Sequence, residues 1–457
     1  MDQQASVGGV WSREKIYPSL YAQIKHGLFE YSFYPMRHEG ITGDGYVSGD
    51  TIHGYLCDFA SDFGLERRLR LATRVDRVLR SAGGGWRLEV SSASGQRAVE
   101  CDKLIYASGA TSHAVVPAWP RSAGFAAPVV HSSETGRHLE ALAKAPSATV
   151  VGGAKSSFDS VFLLLKNGTR VDWVIREHGS GPLALMPPTL LGAVNTMDVV
   201  TTRFMALMGT SVMNTDGAAR QFLQRTLLGR LVVHLFWLVV NWIAEAHAGY
   251  SKSANARKLR PEPHGNGIYW ANAGLGAASV PDFWKTVHEG QCTVHRSDIA
   301  SLGDNNTVHL QNGTSFSTDY VVLSTGFDKS FHVFDPSLQR ELGLVHDESQ
   351  ADKWARLDAS ADAAIDSLLP SLKHTPFSGR ELEREQSAGG RKLLHGPSRH
   401  FRRLVVPALA ARGDRSIVFP GFIHSIYTPM VSEPRGHGGR GCRVECLDPQ
   451  AVWGAGA

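Results

Sequence analysis

The sequence predicts an α/β protein with a largely parallel sheet, and two observations support this fold class. Five short segments are almost wholly apolar, which is typical of strands covered by helices on both faces. Helical patterns separate these segments along the chain. The segments are 104–108 (LIYAS), 148–151 (ATVV), 171–175 (VDWVI), 320–324 (YVVLS) and 416–420 (SIVFP). With 457 residues, the chain is long enough for two or three domains.

Turn-forming sequences also predict two β-hairpins. Segment 86–90 (WRLEV) follows the glycine run 83–85 and precedes the turn-rich SSASGQ before Cys101. Farther along, Asn312 and Gly313 form a strong two-residue turn signal shortly before segment 320–324. We therefore expect antiparallel pairs beside the parallel sheet.

The composition indicates a soluble globular protein. Hydrophobic residues make up 42% of the chain and charged residues 20%, which excludes disordered, collagen-like and multi-span membrane proteins. The 47 basic and 43 acidic residues are interspersed and give a net charge of +4, so we expect no nucleic-acid partner.

Cysteine usage and the N-terminal residues favour a reducing, cytoplasmic location. The five cysteines are scattered along the chain, and the beginning MDQQASVGGVW lacks the charged-then-apolar plan of a signal peptide. The CxxxC spacing of Cys442 and Cys446 fits neither a zinc knuckle nor a CxxC redox pair. We expect no metal site.

The most apolar stretch is 231–243 (LVVHLFWLVVNWI). As a helix it would span about 20 Å, against about 30 Å for the hydrocarbon core of a bilayer. It also contains His234 and Asn241. We expect a buried or substrate-channel helix in preference to a spanning one, with peripheral membrane contact as the alternative.

A dinucleotide site is predicted directly after segment 148–151. Small residues there precede an amphipathic helix with Phe158, Val161, Phe162 and Leu165 on one face. Such a turn presents bare backbone N–H groups and the positive end of a helix dipole to a pyrophosphate. The candidate residues are Gly152, Gly153, Lys155, Ser156 and Ser157. The turn departs from GxGxxG, because Ala154 and Ser157 stand at the second and third glycine positions.

The next strand indicates which dinucleotide binds. An acidic residue at its end accepts the ribose 2′-hydroxyl of NAD, whereas an arginine accommodates the 2′-phosphate of NADP. Segment 171–175 is followed by Arg176, which favours NADP, although the neighbouring Glu177 leaves NAD open.

Further motifs resemble the flavin-containing monooxygenases, in particular a fungal branch often found in secondary metabolism. The resemblance runs from about Val7 to Glu433 and depends on the order and spacing of short motifs. They are Gly8-Gly9-Val10-Trp11, Tyr17-Pro18-Ser19-Leu20, Glu30-Tyr31-Ser32 with Pro35-Met36, Tyr106-Ala107-Ser108-Gly109-Ala110, Gly152-Gly153-Ala154-Lys155-Ser156 and Ser324-Thr325-Gly326-Phe327.

The resemblance implies two Rossmann-like domains, one for FAD and one for NADP, and roles for particular residues. Gly8, Gly9 and Trp11 would lie against the flavin. Ser108, Gly109, Thr325 and Gly326 would form crossings between the domains, and Phe422 would belong to a flavin-facing segment.

The resemblance also implies two catalytic residues. Gln23 stands where the family usually has an asparagine near the flavin and the nicotinamide. His131 belongs to a loose match to the family's FxGxxxH signature, in which Ala127 replaces the glycine.

Two departures from the family pattern affect the expected domains. A family member has a strand, a GxGxxG turn and a helix before the position of Gly8, where this sequence has seven residues. We therefore expect the first Rossmann domain to lack that unit. The chain would then be either an incomplete gene model or an FAD-poor relative of the family.

The tail 434–457 is rich in glycine and arginine where the family has a helix, and we expect it to be disordered. The expected domains are 1–145 for FAD, 146–325 for NADP with a helical insertion at about 185–285, and 326–433 returning to the FAD domain.

The expected function is that of an FAD- and NADPH-dependent monooxygenase inserting one oxygen atom from O₂ into a small apolar organic substrate. A Baeyer–Villiger ketone oxygenase and a non-catalytic NADP-binding remnant are the alternatives. The sequence leaves the oligomeric state open.

Overall fold

The computed structural model describes residues 1–190, 192–210, 216–328, 331–345, 347–374 and 399–420. Phe422, the predicted flavin-facing residue, and the tail 434–457 lie outside these residues.

The strands of the described residues are short and form several sheets. In chain order they are β1 (Tyr21–Lys25), β2 (Tyr46–Ser48), β3 (Arg74–Arg80), β4 (Trp86–Ser92), β5 (Gly95–Cys101), β6 (Leu104–Ile105), β7 (His113–Ala114), β8 (Val129–His131), β9 (Ser147–Val151), β10 (Arg170–Ile175), β11 (Ala184–Met186), β12 (Thr189–Leu190), β13 (Val194–Asn195), β14 (Leu275–Ala277), β15 (Cys292–Arg296), β16 (Ile299–Gly303), β17 (Thr307–Leu310), β18 (Ser315–Ser317), β19 (Val321–Leu323), β20 (Phe327–Asp328) and β21 (Ile417–Val418).

The α-helices of the described residues cluster in the middle of the chain. They are α1 (Gly49–Asp62), α2 (Leu139–Lys144), α3 (Lys155–Lys166), α4 (Thr196–Val200), α5 (Arg203–Met208), α6 (Ala218–Arg225), α7 (Leu227–Ala248), α8 (Ala254–Arg257), α9 (Gly267–Trp270), α10 (Phe283–Glu289), α11 (Pro336–Glu341), α12 (Ala351–Leu368) and α13 (Pro407–Ala410).

The main sheet is parallel and has the order β15-β10-β9-β19-β8. At its centre Val150 pairs with Trp173 on one side and with Val322 on the other, and all three side chains are buried. The strands predicted at 148–151, 171–175 and 320–324 are confirmed as β9, β10 and β19. They are mostly apolar because helices or loops cover both faces of the sheet.

Helix α3 connects β9 to β10 and packs against the sheet. Its predicted apolar face, with Phe158, Val161, Phe162 and Leu165, is at most 9% exposed. The Phe158 ring meets Trp173 of β10 edge to face, with 4.8 Å between ring centroids. A parallel strand, a turn, a helix and the neighbouring parallel strand make one Rossmann-type unit, as expected.

The other predicted parallel strands are shorter and less buried than expected. Segments 104–108 and 416–420 contribute β6 and β21, which form a two-stranded parallel sheet with two residue pairs. Ile105 of β6 is 67% exposed. The expectation of fully covered strands was wrong here, because the described residues place no further strand or helix over this side chain.

Both predicted hairpins are confirmed. β4 and β5 pair antiparallel across the SSASGQ turn, and β3 pairs with the other edge of β4. β17 and β18 flank Asn312 and Gly313, and Gly313 has a φ of +84°. This left-handed conformation explains the glycine at that turn position.

The apolar stretch 231–243 belongs to a helix that is longer and more exposed than predicted. Helix α7 has 22 residues, begins after Thr226, whose hydroxyl accepts from the Gly229 N–H, and ends at the left-handed Gly249. By length and composition it could cross a membrane, and 22% of its most apolar window is buried. The expectation of a buried helix was wrong, because the described residues cover only one face of α7.

Trp173 is expected to stabilise the fold through its indole N–H as well as its ring. In Trp173→Phe, the bond from Nε1 to the Gly152 carbonyl is lost. Trp284→Phe is the matched control, since the buried Trp284 Nε1 has no hydrogen-bond partner among the residues that the structure describes. Trp173→Phe should lower the free energy of unfolding by about 1–3 kcal/mol more than Trp284→Phe does. Urea denaturation of both variants measures this difference, and equal losses would contradict it.

Candidate functional site

The turn between β9 and α3 is shaped for close backbone approach. Gly152 has a φ of +135°, and a Cβ there would collide with the Ser324 carbonyl oxygen. A Cβ on Gly153 would lie 2.6 Å from the Gly181 carbonyl oxygen. Neighbouring backbone thus occupies the space that side chains would need at both predicted glycines.

Hydrogen bonds fix this turn to the main sheet. The Gly152 N–H donates to the Val174 carbonyl at 2.9 Å, and Trp173 Nε1 donates to the Gly152 carbonyl at 2.7 Å. On the other side, the Leu183 N–H donates to the Gly153 carbonyl at 2.7 Å. The turn is therefore held in one geometry before any ligand arrives.

The N-terminus of α3 follows the turn directly. No side chain caps this helix, whose first turn holds Lys155, Ser156 and Ser157. Uncapped N–H groups and the helix dipole favour an anion here. Ser157, which the sequence also predicted here, is buried, and its hydroxyl donates to the Ala154 carbonyl at 2.6 Å.

Arg176 stands where the sequence analysis expects the adenosine ribose to be recognised. It directly follows β10, the neighbour of β9, and it is exposed. In a doubly wound sheet this strand end is beside the glycine turn.

A cavity of about 340 Å³ lies beside the first turn of α3. The N-terminal segment supplies most of its wall, and apolar side chains such as Val10, Ile24 and Phe29 predominate there. The polar and aromatic residues that also line it include Trp11, Tyr17, Gln23, Lys155, Ser156 and Phe327. The cavity thus joins the predicted flavin-facing segment to the first turn of α3, which follows the predicted dinucleotide turn.

Lys155 connects the first turn of α3 to the N-terminal segment. Its ammonium group donates to the Tyr21 carbonyl of β1 at 3.0 Å and to Asp159 Oδ2 at 2.5 Å. Burial raises the pKa of Asp159, and the charge of Lys155 opposes that shift. The sequence analysis missed Asp159, although the i,i+4 spacing of the two residues is a readable signal for an ion pair on a helix.

The side chain of Gln23, in β1, contacts β14, which is distant in the sequence. Its Nε2 donates to the Ala277 carbonyl of β14 at 3.3 Å. A Cβ at the neighbouring Gly276 would lie only 2.8 Å from the Gln23 side-chain carbon Cδ. The sequence analysis missed Gly276, because no local pattern indicates which segment of the insertion meets β1.

His131 lies in the sheet rather than among the cavity-lining residues. It is 6% exposed, and its Nε2 is 3.0 Å from the Gly326 carbonyl oxygen. The Ser133 N–H donates to Nδ1 at 3.2 Å, which assigns the ring proton to Nε2. The ring also contacts Phe327 of the cavity wall, with 4.9 Å between centroids. These contacts suit a residue that positions the wall.

The remaining predicted residues lie at turns. Gly8 has a φ of +122° and accepts from the Trp11 N–H at 3.0 Å, which sets Trp11 at the cavity. Gly9 begins the short 3₁₀ helix that ends at Trp11.

The two crossing segments lie farther along the chain. Ser108 and Gly109 follow β6, and Thr111 beyond them lines the cavity. The Thr325 hydroxyl donates to the Val115 carbonyl at 2.5 Å, and Gly326 has a φ of +83°.

The structure thus gathers some of the predicted residues at one cavity and leaves others outside it. Trp11, Gln23, Lys155 and Ser156 line the cavity, whereas His131 is behind its wall. Within the described ranges, no group of three or more His, Cys, Asp or Glu side chains could hold a metal ion.

We expect Gly152→Ala to disrupt the dinucleotide turn. Gly168→Ala is the control, because Gly168 also has a positive φ of +81° but open space around its Cα. Only Gly152→Ala adds a backbone collision to the conformational strain, so it should weaken NADPH binding by about tenfold or more, equivalent to about 1.4 kcal/mol. Fluorescence titration with NADPH measures this, and equal affinities of the two variants would contradict it.

His131 is expected to make stability depend on pH. Burial lowers its pKa, with the Gly326 carbonyl opposing the shift. As pH falls through about 6.5, the unfolded chain takes up the proton first, so the folded state loses stability. His131→Gln should reduce the slope of unfolding free energy against pH by up to about 1.4 kcal/mol per pH unit below that point.

Denaturation at a series of pH values between about 5 and 7 measures the slope. The exposed His234→Gln is the control. Part of the slope should remain in His131→Gln, since burial also lowers the pKa of His113, His247 and His400. Identical slopes in the wild type and His131→Gln would contradict the assignment.

No protein-family model matches the chain. The chain is 48% identical over 436 residues to the FAD-dependent monooxygenase DEP4 of Alternaria brassicicola, covering 95% of this chain and 74% of the relative. It is 32% identical over 452 residues to the FAD-dependent monooxygenase resA of Aspergillus sclerotiorum, covering 95% of this chain and 77% of the relative.

Solved structures share the fold. An open form of cyclohexanone monooxygenase matches with a TM-score of 0.50 and 16% identity, covering 72% of this chain and 68% of its own. An oxidized steroid monooxygenase bound to NADP matches with a TM-score of 0.50 and 18% identity, covering 72% of this chain and 66% of its own. The fold is therefore that of the Rossmann-type flavin monooxygenases, and the identity to the fungal relatives establishes that the chain belongs to the family of FAD-dependent monooxygenases.

Proposed function

We propose that this family member uses NADPH and FAD to transfer one oxygen atom from O₂ to a small apolar organic substrate in fungal secondary metabolism. The observation that carries the proposal is the cavity shared by Trp11, Gln23 and the first turn of α3. It brings a predicted flavin-facing surface and a dinucleotide turn to one space, and its wall is mostly apolar. The fungal relatives of the chain are named FAD-dependent monooxygenases, which supports the same reaction class.

The residues after β9 fit NADP. Gly152 and Gly153 leave the backbone bare, the uncapped N-terminus of α3 favours the pyrophosphate, and Arg176 would meet the 2′-phosphate. Lys155 serves a different role, because Tyr21 and Asp159 already engage its ammonium group. It would position the cavity wall instead of binding the phosphates.

The residues that line the cavity fit the flavin ring of FAD. Trp11, Tyr17 and Gln23 offer aromatic and amide surface suited to a planar ring. In the described part of the chain, β6 and β21 contribute parallel strands to the first domain, and β6 is not followed by a glycine turn that opens a helix. The residues after Pro420, which follow β21, lie outside the described ranges. We therefore assign residues to the flavin ring and none to the FAD pyrophosphate.

When bound, FAD accepts electrons from NADPH and activates O₂. The chain's own residues would orient the reactants and exclude water. Gln23, whose Nε2 is bonded to Ala277, keeps a carboxamide oxygen that can accept a hydrogen bond from a group in the cavity. The apolar side chains Val10, Ile24 and Phe29 would keep water from the reacting atoms.

The domain division and the location are part of the same proposal. We propose an FAD domain formed by 1–145 and 326–433 around an NADP domain at 146–325, since the main sheet falls within the latter apart from β8. We propose a cytoplasmic location, because the described thiols Cys57, Cys101 and Cys292 are all free.

The visible spectrum of the purified full chain tests the proposal. A yellow protein with bound FAD that oxidises NADPH in the presence of O₂ and an organic substrate supports it. A colourless protein that still binds NADPH would overturn it in favour of a non-catalytic NADP-binding remnant. This second candidate function is retained because, among the described residues, only one parallel strand is followed by a glycine turn that opens a helix.

The type of oxygen transfer is tested by substrate panels. Amines and sulfides would report transfer to a heteroatom, and ketones would report Baeyer–Villiger insertion. Ester or lactone products from ketones alone would replace the first assignment by the second.

Arg176→Ala should change the preference between the nicotinamide cofactors. A hydrogen bond to a charged group contributes about 1.5–3 kcal/mol, so KM for NADPH should rise by roughly 10- to 150-fold. KM for NADH, which lacks the 2′-phosphate, should stay nearly constant. Arg170→Ala, at the other end of the same strand, is the control. Steady-state kinetics with both cofactors measure the effect, and equal changes for NADPH and NADH would contradict this role of Arg176.

A further inference from the structure

Helix α7 presents a continuous apolar face to solvent. Residues spaced three or four apart lie on one side of a helix, and this side bears aliphatic side chains and one tryptophan over most of the helix length. The exposed fractions are 61% for Leu228, 51% for Leu231, 51% for Leu235, 39% for Leu238, 56% for Val239 and 68% for Trp242. A contiguous exposed surface of this kind marks an interaction site.

The rotation of α7 about its axis is fixed by its inner face. Trp237 Nε1 donates to the Met208 carbonyl at 2.9 Å, and the Ile268 N–H donates to Asn241 Oδ1 at 3.3 Å. Asn241 Nδ2 also donates to Glu245 at 2.8 Å. Turning the apolar face inward would break these bonds, so the face stays outside.

Along the sequence of α6 and of α7 up to Ala244, the charged residues have one sign. From Gly217 to Ala244 the sequence contains three arginines and no acidic residue. Arg225 is exposed and Arg230 half-buried near the N-terminal end of α7, and the exposed His234 lies at the edge of the face. Glu245, the first acidic residue beyond, pairs with Arg260 at 2.9 Å. The surface is therefore apolar with a basic margin.

We propose that this face lies in the interface of a lipid bilayer containing anionic headgroups, with α7 parallel to the membrane plane. An apolar helical face would enter the boundary between headgroups and acyl chains, and the basic margin would meet the lipid phosphates. Trp242 suits that depth, since tryptophan favours the membrane interface.

Two other arrangements fit the structure less well. A spanning helix would place the inner face, with Asn241 and Glu245 bonded to the protein, in hydrocarbon. A second copy of the chain would find few polar groups on this face, whereas protein interfaces have about one hydrogen bond per 100–200 Å². Binding to a lipid interface requires neither matching polar groups nor a surface of complementary shape.

The test is flotation of the full chain with lipid vesicles, which requires no flavin and no turnover. One set of vesicles is phosphatidylcholine and the other also contains about 30% phosphatidylserine. The wild type should float with the mixed vesicles, and less with phosphatidylcholine alone. The triple variant Leu235→Glu, Val239→Glu and Trp242→Glu should lower the bound fraction at least tenfold.

A matched control adds the same charge elsewhere. Leu357→Glu, Ala359→Glu and Ala363→Glu change exposed positions of α12 and should leave the bound fraction unchanged. Circular dichroism of both triple variants verifies that they fold.

Three outcomes would overturn the proposal. The first is a wild type that floats with neither set of vesicles, or a triple variant that floats as well as the wild type. The second is a dimer in size-exclusion chromatography that the α7 variant converts to a monomer without any vesicle binding, which would assign the face to a second copy. The third is wild-type protein that resists alkaline carbonate extraction from cell membranes, which would indicate a spanning helix.

Discussion

The close contact of the glycine turn with its surroundings is the constraint on which the site depends. At Gly152 the backbone lies so near Ser324 that a side chain has no room, and Trp173 and Val174 of β10 bond the same residue from the sheet. Three neighbouring parallel strands therefore determine where α3 begins. Because a helix N-terminus acts on an anion only within about one turn, its position decides where a dinucleotide phosphate can bind.

The cavity depends on a second connection, between α3 and the N-terminal segment. Lys155 reaches from the first turn of the helix to the Tyr21 carbonyl and is balanced by the mostly buried Asp159. Breaking a buried ion pair on one side leaves an uncompensated charge, which is strongly unfavourable. The pair therefore holds β1, and with it Gln23, beside the dinucleotide turn. Gly276 of β14 completes the arrangement by allowing the Gln23 side chain to lie against the insertion.

The helical insertion has an inner side that contacts β1 and an outer side that is exposed. Its inner side meets β1 through the bond between Gln23 and Ala277 and through the ion pair between Lys25 and Asp198, which is 2.6 Å long. Its outer side includes the exposed face of α7. A helix that has apolar side chains on its uncovered side leaves a surface that water does not solvate well. The same segment thus holds the cavity-lining strand β1 on its inner side and presents an apolar face on its outer side.

The parallel strands β9, β10 and β19, the apolar face of α3, both hairpins and the glycine turn with Lys155 could be predicted from the sequence, because each follows from a pattern within a few neighbouring residues. Trp11 and Gln23 were predicted as site residues through the resemblance to a family. The tertiary structure was needed to find that His131 lies behind the cavity wall, that Asp159 and Gly276 are beside the candidate site, and that α7 is exposed. These features depend on which distant segments meet, and a local pattern of apolar residues does not specify whether protein, solvent or lipid covers them.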